Sequence, residues 1–323
     1  MQSVPNQPKN MSGISPIIHS PRRKPALKRL FASWQLYVLL IPAFIYYGIY
    51  HYAPMYGVQI AFRDYTPTLG IAGSPWVGLK HFLRFFRSIE FFRLFRNTLL
   101  LSVYSLVFDF PFPIILALMI NELRNQRYKK FVQNVTYMPH FISNVVLCGM
   151  VISFTSPSAG FINMIIQAFG GDRIDFMSNP RYFRSIYVIS GVWQQTGWSS
   201  IIYIAALAGI DREMLEAAEI DGVSRMQKIL YINIPCILPT IIVLLIMNSG
   251  RVMNIGFEKV FLLQNALNME VSEVISTYVY KRGLLGAQFS FSAMVGLFNS
   301  AINLVLLVLV NKISQKVSET SLW

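Results

Sequence analysis

Five of the chain's 15 acidic residues fall within eleven positions, in the string Asp211-Arg212-Glu213-Met214-Leu215-Glu216-Ala217-Ala218-Glu219-Ile220-Asp221. Gly222 follows, then Ser224, and further on Ile232, Ile234 and Pro235. This spacing predicts two short helices joined by a turn. Asp211 is placed to cap the first helix and Glu213 lies in its electropositive first turn, while Gly222 can take the left-handed conformation that ends it. Ser224 can cap the second helix, and Pro235 is expected to end it. Met214, Leu215 and Ala218 share one face of the first helix. The small pair Ala217-Ala218 lets that helix lie close inside a partner's cleft, with Glu216 and Asp221 free for basic groups. The chemistry on offer is docking, not bond making.

A second cluster suits sugar binding, which uses aromatic faces with amides and hydroxyls. Trp193, Gln194, Gln195, Trp198, Ser199 and Tyr203 lie within one apolar run. At helical spacing Gln194, Trp198 and Gln195 can line one wall of a cavity, with His140, Ser143 and Asn144 contributing from another segment. Two readings stand side by side here: the tryptophans equally suit an interfacial belt, and the glutamines and His140 equally suit bonds to neighbouring helices. Asp109 is the one carboxylate inside a long apolar run, where a charge costs roughly 2.5 to 3.5 kcal/mol. It must face a partner or a cavity, or be protonated. Four scattered histidines (His19, His51, His81, His140) and two cysteines in apolar runs (Cys148, Cys236) form no metal-ligand spacing and no disulfide framework. No G-x-x-x-x-G-K-[ST] loop occurs, so the chain has no phosphate cradle of that kind.

The elements that must position these groups follow from composition. Of 323 residues, 54% are apolar and 13% charged, and the mean hydropathy is +0.47. That charge fraction is about half the usual ~25%, too little to cover soluble domains. An all-α membrane protein fits. Runs nearly free of charge predict six transmembrane helices, at about residues 34 to 54, 97 to 120, 135 to 155, 185 to 208, 233 to 250 and 290 to 310. Residues 1-30 read as a basic cytoplasmic tail containing Pro21-Arg22-Arg23-Lys24-Pro25, and residues 317-323 as a cytoplasmic C-terminal tail. The segments then assigned outside carry 13 Lys and Arg against 7 acids, an excess of +6. Lys80, Arg84 and Arg87 recur there at helical spacing opposite Phe82, Phe85, Phe86 and Ile89. An interfacial amphipathic helix is expected, its arginines meeting lipid phosphate or an acidic substrate.

Glu216-Ala217-Ala218, three residues, Gly222, nine residues, then Ile232-x-Ile234-Pro235 resembles the EAA motif of membrane subunits of ATP-binding-cassette (ABC) importers, with Ile234 where Leu is usual. Met138-Pro139-His140-Phe141-Ile142-Ser143, Gly191 to Trp198, Val274 to Tyr280 and Gly296 to Ser300 look like the oligosaccharide and polysaccharide permeases of the carbohydrate-uptake branch. The resemblance spans residues 31-316, with 211-235 as the coupling loop. It implies the type I importer permease fold and a role as a permease subunit, not an enzyme, in a bacterial inner membrane. It also implies a second homologous permease, two ATPase subunits holding ATP and magnesium, an external solute-binding protein and an oligosaccharide substrate. No nucleic acid is involved. With the external excess of positive charge, an acidic oligomer of the alginate or pectin type is expected. Asp109 would then bond across to the companion permease. In the alternative, an ion-coupled secondary transporter, Asp109 would carry the coupling ion.

Overall fold

A computed structural model describes residues 34–318 and Ser321. The expected tail 1-30 and most of 317-323 lie outside the described residues. The chain divides into two units, Met1–Tyr56 and Gly57–Trp323.

In the first unit, helix α1 (Trp34–Tyr47) runs into a wide turn at Gly48–Tyr52, and neither contains a buried residue. Leu36, Leu39, Phe44 and Ile45 stand exposed along it. Pro42 sits inside α1 and removes one ladder bond, a loss that membrane helices tolerate. The helical run extends to Phe62, 29 residues in all, long and apolar enough to cross a bilayer.

The second unit's described residues form helices joined by turns and irregular links, with one isolated bridge between Arg63 and Trp76 and no strand. Its main helices are α2 (Lys80–Phe86), α3 (Glu90–Asp109), α4 (Pro111–Asn121), α5 (Gln126–Tyr137), α6 (Asn144–Thr155), α7 (Phe161–Ala168) and α8 (Pro180–Ala208). There follow α9 (Arg212–Ile220), α10 (Arg225–Lys228), α11 (Ile234–Ser249), α12 (Phe257–Leu263), α13 (Ile275–Tyr280) and α14 (Phe289–Ser318).

Helical segments stand at all six expected positions, but they are not six alike. The run through α1, the pair α3–α4, the run Arg225–Ser249 and α14 are long and apolar enough to span a membrane. The expected third span is broken. Gln126–Phe141 and Asn144–Thr155 meet at 95°. The chain leaves the helix through a tight turn at Met138–Phe141, and Ser143 restarts it by accepting a bond from Val146 N. The expected fourth span, α8, has 29 residues and therefore about 43 Å of length. It falls outside the apolar set through its polar residues, not its reach.

α8 is the central strut, packing on α4, α3, α5 and α11. Gly197 makes the α5 approach possible: a Cβ there would stand 1.9 Å from the Thr136 carbonyl oxygen. One apolar cluster joins Phe85, Leu94, Ile275, Phe291 and Met294, and a second joins Leu101, Cys148, Val188, Val260 and Val274. A third, of Ala117, Leu118, Tyr203, Leu207 and Ile237, ties α4 and α8 to α11.

At one end of the bundle, Glu273 is buried between Arg93 (2.6 Å) and Lys281 (3.3 Å), and Arg93 also bonds Glu90. Asn97 donates to the Glu270 and Glu273 carbonyls, so α3 is clamped to the segment before α13. At the opposite end Lys228 pairs with Glu122 at 3.1 Å. The α2 region departs from expectation. Phe82 and Phe85 turn inward onto Phe298 and Arg84 lies over the Phe291 ring, so this helix is part of the core. It ends at Phe86, which leaves Phe86 43% and Ile89 98% exposed. Lys80 bonds Asp64 at 2.6 Å and holds that carboxyl below the usual carboxylate range. This clasp contributes at neutral pH and is lost as pH falls through the lowered value.

Gly197→Ala should cost about 1–3 kcal/mol or more through overpacking against α5. Gly149→Ala, with nothing within 4 Å of the new Cβ, should cost little. Thermal midpoints of the two purified variants check this, and equal midpoints would contradict the close crossing.

Candidate functional site

A cavity of about 820 Å³ opens between α3, α8, α11 and α12. One wall comes from α8: Gln194, Gln195, Trp198 and Ser199 all line it, with Tyr187 and Gly191 a turn or more earlier. Asn144 contributes from α6, Asp109 from the end of α3, and Asn248, Arg251, Asn254 and Lys259 from α11 and the segment after it.

The α8 glutamines divide between the two readings left open by sequence. Gln194 is buried and donates from Nε2 to the Ile142 carbonyl at 2.8 Å, satisfying a group that the break before α6 leaves without a helix partner. That bond is structural, and Gln194 remains in the cavity lining. Gln195 accepts from His140 Nδ1 at 2.9 Å, and the His140 ring stacks on Trp198 at 4.4 Å with only 4° between planes. The stack fixes the indole while leaving Trp198 43% exposed in the cavity wall. Trp193 is exposed and does not line the cavity, whereas Tyr203 belongs to the cavity lining while being buried in the third apolar cluster. Asn144 donates to Glu258 at 2.7 Å, which pins α6 to the start of α12.

Asp109 sits where α3 breaks ahead of Pro111. One of its carboxylate oxygens is buried and has no hydrogen-bond partner among the described residues. Across Gly191 lies Lys259. A Cβ on Gly191 would stand 3.2 Å from Lys259 Nζ and 3.7 Å from Asp109 Oδ1. Lys259 Nζ donates to the Tyr187 carbonyl at 2.8 Å and lies 4.6 Å from the centre of the Tyr187 ring. Sequence reasoning passed over Lys259 and Tyr187, because nothing in local spacing links α12 to α3 and α8.

The acidic loop at the far end has the expected local structure. Asp211 accepts from Glu213 N at 3.0 Å, Gly222 has φ of +70°, and Ser224 with Gln227 forms a capping box. Ala218 is buried, whereas Met214, Glu216 and Ala217 are exposed. Pro235 does not end the second helix. A wide turn at Ile229–Asn233 carries the chain into α11, and Pro235 lies just after it in the first turn of α11, where the widened turn accommodates the missing N–H. α10, the wide turn and α11 therefore form one 25-residue run, Arg225–Ser249, joining loop to bundle. Ile232 lies inside that turn.

Over residues 109–319 the sequence matches the family described as the binding-protein-dependent transport system inner membrane component. The chain belongs to that family. It is 43% identical over 307 residues to the polygalacturonan/rhamnogalacturonan transport system permease protein YteP of Bacillus subtilis, covering 95% of this chain and 96% of that one. It is also 43% identical over 298 residues to protein LplB of the same organism, covering 92% and 93%. A crystal structure of a bacterial alginate ABC transporter, in complex with an alginate pentasaccharide-bound periplasmic protein, matches with a TM-score of 0.84 at 40% identity, covering 93% of this chain and 100% of that one. The resemblance to carbohydrate-uptake permeases thus holds. The chain is a permease subunit, not an enzyme. Family membership decides against the ion-coupled alternative.

Gln194→Met keeps the side-chain volume but leaves the Ile142 carbonyl unpaired, at about 1–3 kcal/mol. A lowered thermal midpoint is expected, and an unchanged one would contradict the structural bond to Ile142.

Proposed function

We propose that the chain forms one half of the path of an ATP-driven importer that takes an acidic oligosaccharide from an external binding protein to the cytoplasm by alternating access. The carrying observation is the cavity wall of Trp198, Gln195 and Asn144, an aromatic face beside amides. It occurs in a chain 43% identical along 95% of its length to a relative named for polygalacturonan and rhamnogalacturonan. The structural match to an alginate importer in complex with an alginate pentasaccharide-bound periplasmic protein supports the same substrate class and partner. The volume lies within the ~300–1,000 Å³ of small-ligand sites, so it suits a segment of an oligomer.

In this reading the chain is a multi-pass protein of the bacterial inner membrane, with both termini in the cytoplasm. A second, homologous permease completes the path, and two ATPase subunits bind ATP and magnesium. The loop 211-235 docks in an ATPase cleft. Glu216, Ala217 and Asp221 are exposed, and so are Ile220 at 87% and Met226 at 65%, leaving both acidic and apolar side chains of the loop free for a partner. Gly222 sets the turn between the two loop helices. Closure of the ATPases moves the loop, and the motion has two routes inward. One is the continuous helix through Ile232 and Pro235 into α11; the other is the Lys228–Glu122 pair at the end of α4. α4 begins at the Asp109–Pro111 break beside the cavity, so a shift of the loop changes the cavity's walls. ATP binding is thereby coupled to which side the cavity faces.

Affinity purification from native membranes in mild detergent tests the assembly, with mass identification of what accompanies the chain. A second permease and an ATPase are expected. Recovery alone or as a homodimer without ATPase would contradict it. Gly222→Pro cannot adopt φ of +70° and Glu216→Lys reverses the docking charge. Both should abolish ATPase co-purification and transport while the subunit stays membrane-inserted. Retained ATPase in both variants would overturn the docking role.

A further inference from the structure

We propose that Lys259 is the residue that selects for the carboxylates of an acidic oligosaccharide, and that Asp109 is its counter-charge when the cavity is empty. This rests on the substrate class proposed above and assigns the residues that recognise it.

Three charged side chains line the cavity, Asp109, Lys259 and Arg251. With one acid and two bases, the lining is one positive charge in excess, and a single uronate carboxylate would neutralise it. Lys259 is the base built to receive it. It is only 7% exposed, yet among the described residues no acid lies within ion-pair distance, and its fixed contacts are the Tyr187 carbonyl and ring. An ammonium has three donors, so that single carbonyl leaves donors over for an incoming oxygen. Asp109 stands on the other side of the gap above Gly191, with one oxygen buried and unbonded. It is near enough to offset the ammonium's charge and too far to occupy its donors. A direct ion pair would close the site, and a lysine without any acid nearby would hold an acidic substrate too tightly to release it. Gly191 keeps the gap open, since any side chain there would fill the space between the two charges.

The test uses the whole transporter, with its partner permease, ATPase and binding protein, in proteoliposomes. Uptake of trigalacturonate is compared with uptake of its methyl ester, each normalised by separately measured affinity for the binding protein. In Lys259→Gln the acid-to-ester ratio should fall about tenfold or more, the loss of a charge-assisted bond. Lys259→Arg should restore most of it. Asp109→Asn should lower KM for the acid and slow its turnover. If Lys259→Gln fails to assemble because Asp109 is left buried alone, the double variant Asp109→Asn/Lys259→Gln supplies the same ratio from a neutral site. A ratio equal to wild type in Lys259→Gln, or in the double variant where the single one does not assemble, would overturn the assignment while leaving the substrate class intact. Failure of the wild-type complex to take up trigalacturonate at all would overturn the substrate class and this assignment with it.

Discussion

Hydrocarbon offers no hydrogen bonds, so each polar group that a membrane protein carries into the bilayer must find its partner inside the protein or in a water-filled cavity. This constraint organises the whole bundle around α8. The helix carries Gln194, Gln195, Thr196, Ser199 and Ser200 in one stretch, too polar to lie against lipid, and α3, α4, α5 and α11 pack round it. Its polar groups go two ways. Gln194 repairs the broken segment before α6, and Gln195 with Trp198 and Ser199 opens onto the cavity. Gly197, between them, brings α5 close enough for the His140–Trp198 stack to form.

The same constraint explains why the two breaks in the bundle lie beside the cavity. α3 stops at Asp109 ahead of Pro111, and the Met138–Phe141 turn interrupts the third segment. Broken helices expose backbone groups, which are tolerated only where protein or a water-filled cavity satisfies them. Both breaks are joined to the acidic loop by α11 and by α4, so in the proposed cycle they are the points where a movement of the loop would alter the cavity with little change elsewhere. Rigid helices transmit and the breaks yield.

Legibility in the sequence follows the range of the interaction. The caps of the acidic loop, Gly222 in the left-handed region and the positions of the helical segments are local, and each was readable from spacing alone. Pro235 was misread because a wide turn upstream absorbs the missing donor, a feature that spacing does not encode. The right angle in the third segment and the inward turn of Phe82 and Phe85 depend on neighbours distant in sequence. So does the meeting of Asp109 with Lys259 across Gly191. The external positive charge pointed to acidic ligands, but Lys80 and Arg84 are engaged by Asp64 and Phe291, and the cations that line the cavity are Lys259 and Arg251.

If the α8 wall is the substrate path, its exposure must change sides with ATP. Ser199→Cys, in a chain whose Cys148 and Cys236 are replaced by Ala and Ser, places one thiol in that wall. The assembled transporter is labelled with a membrane-impermeant maleimide from either side, at rest and after trapping with ATP and vanadate. The account predicts labelling from the cytoplasmic side at rest and from the external side when trapped. Labelling from the same side in both states, or in neither, would contradict it.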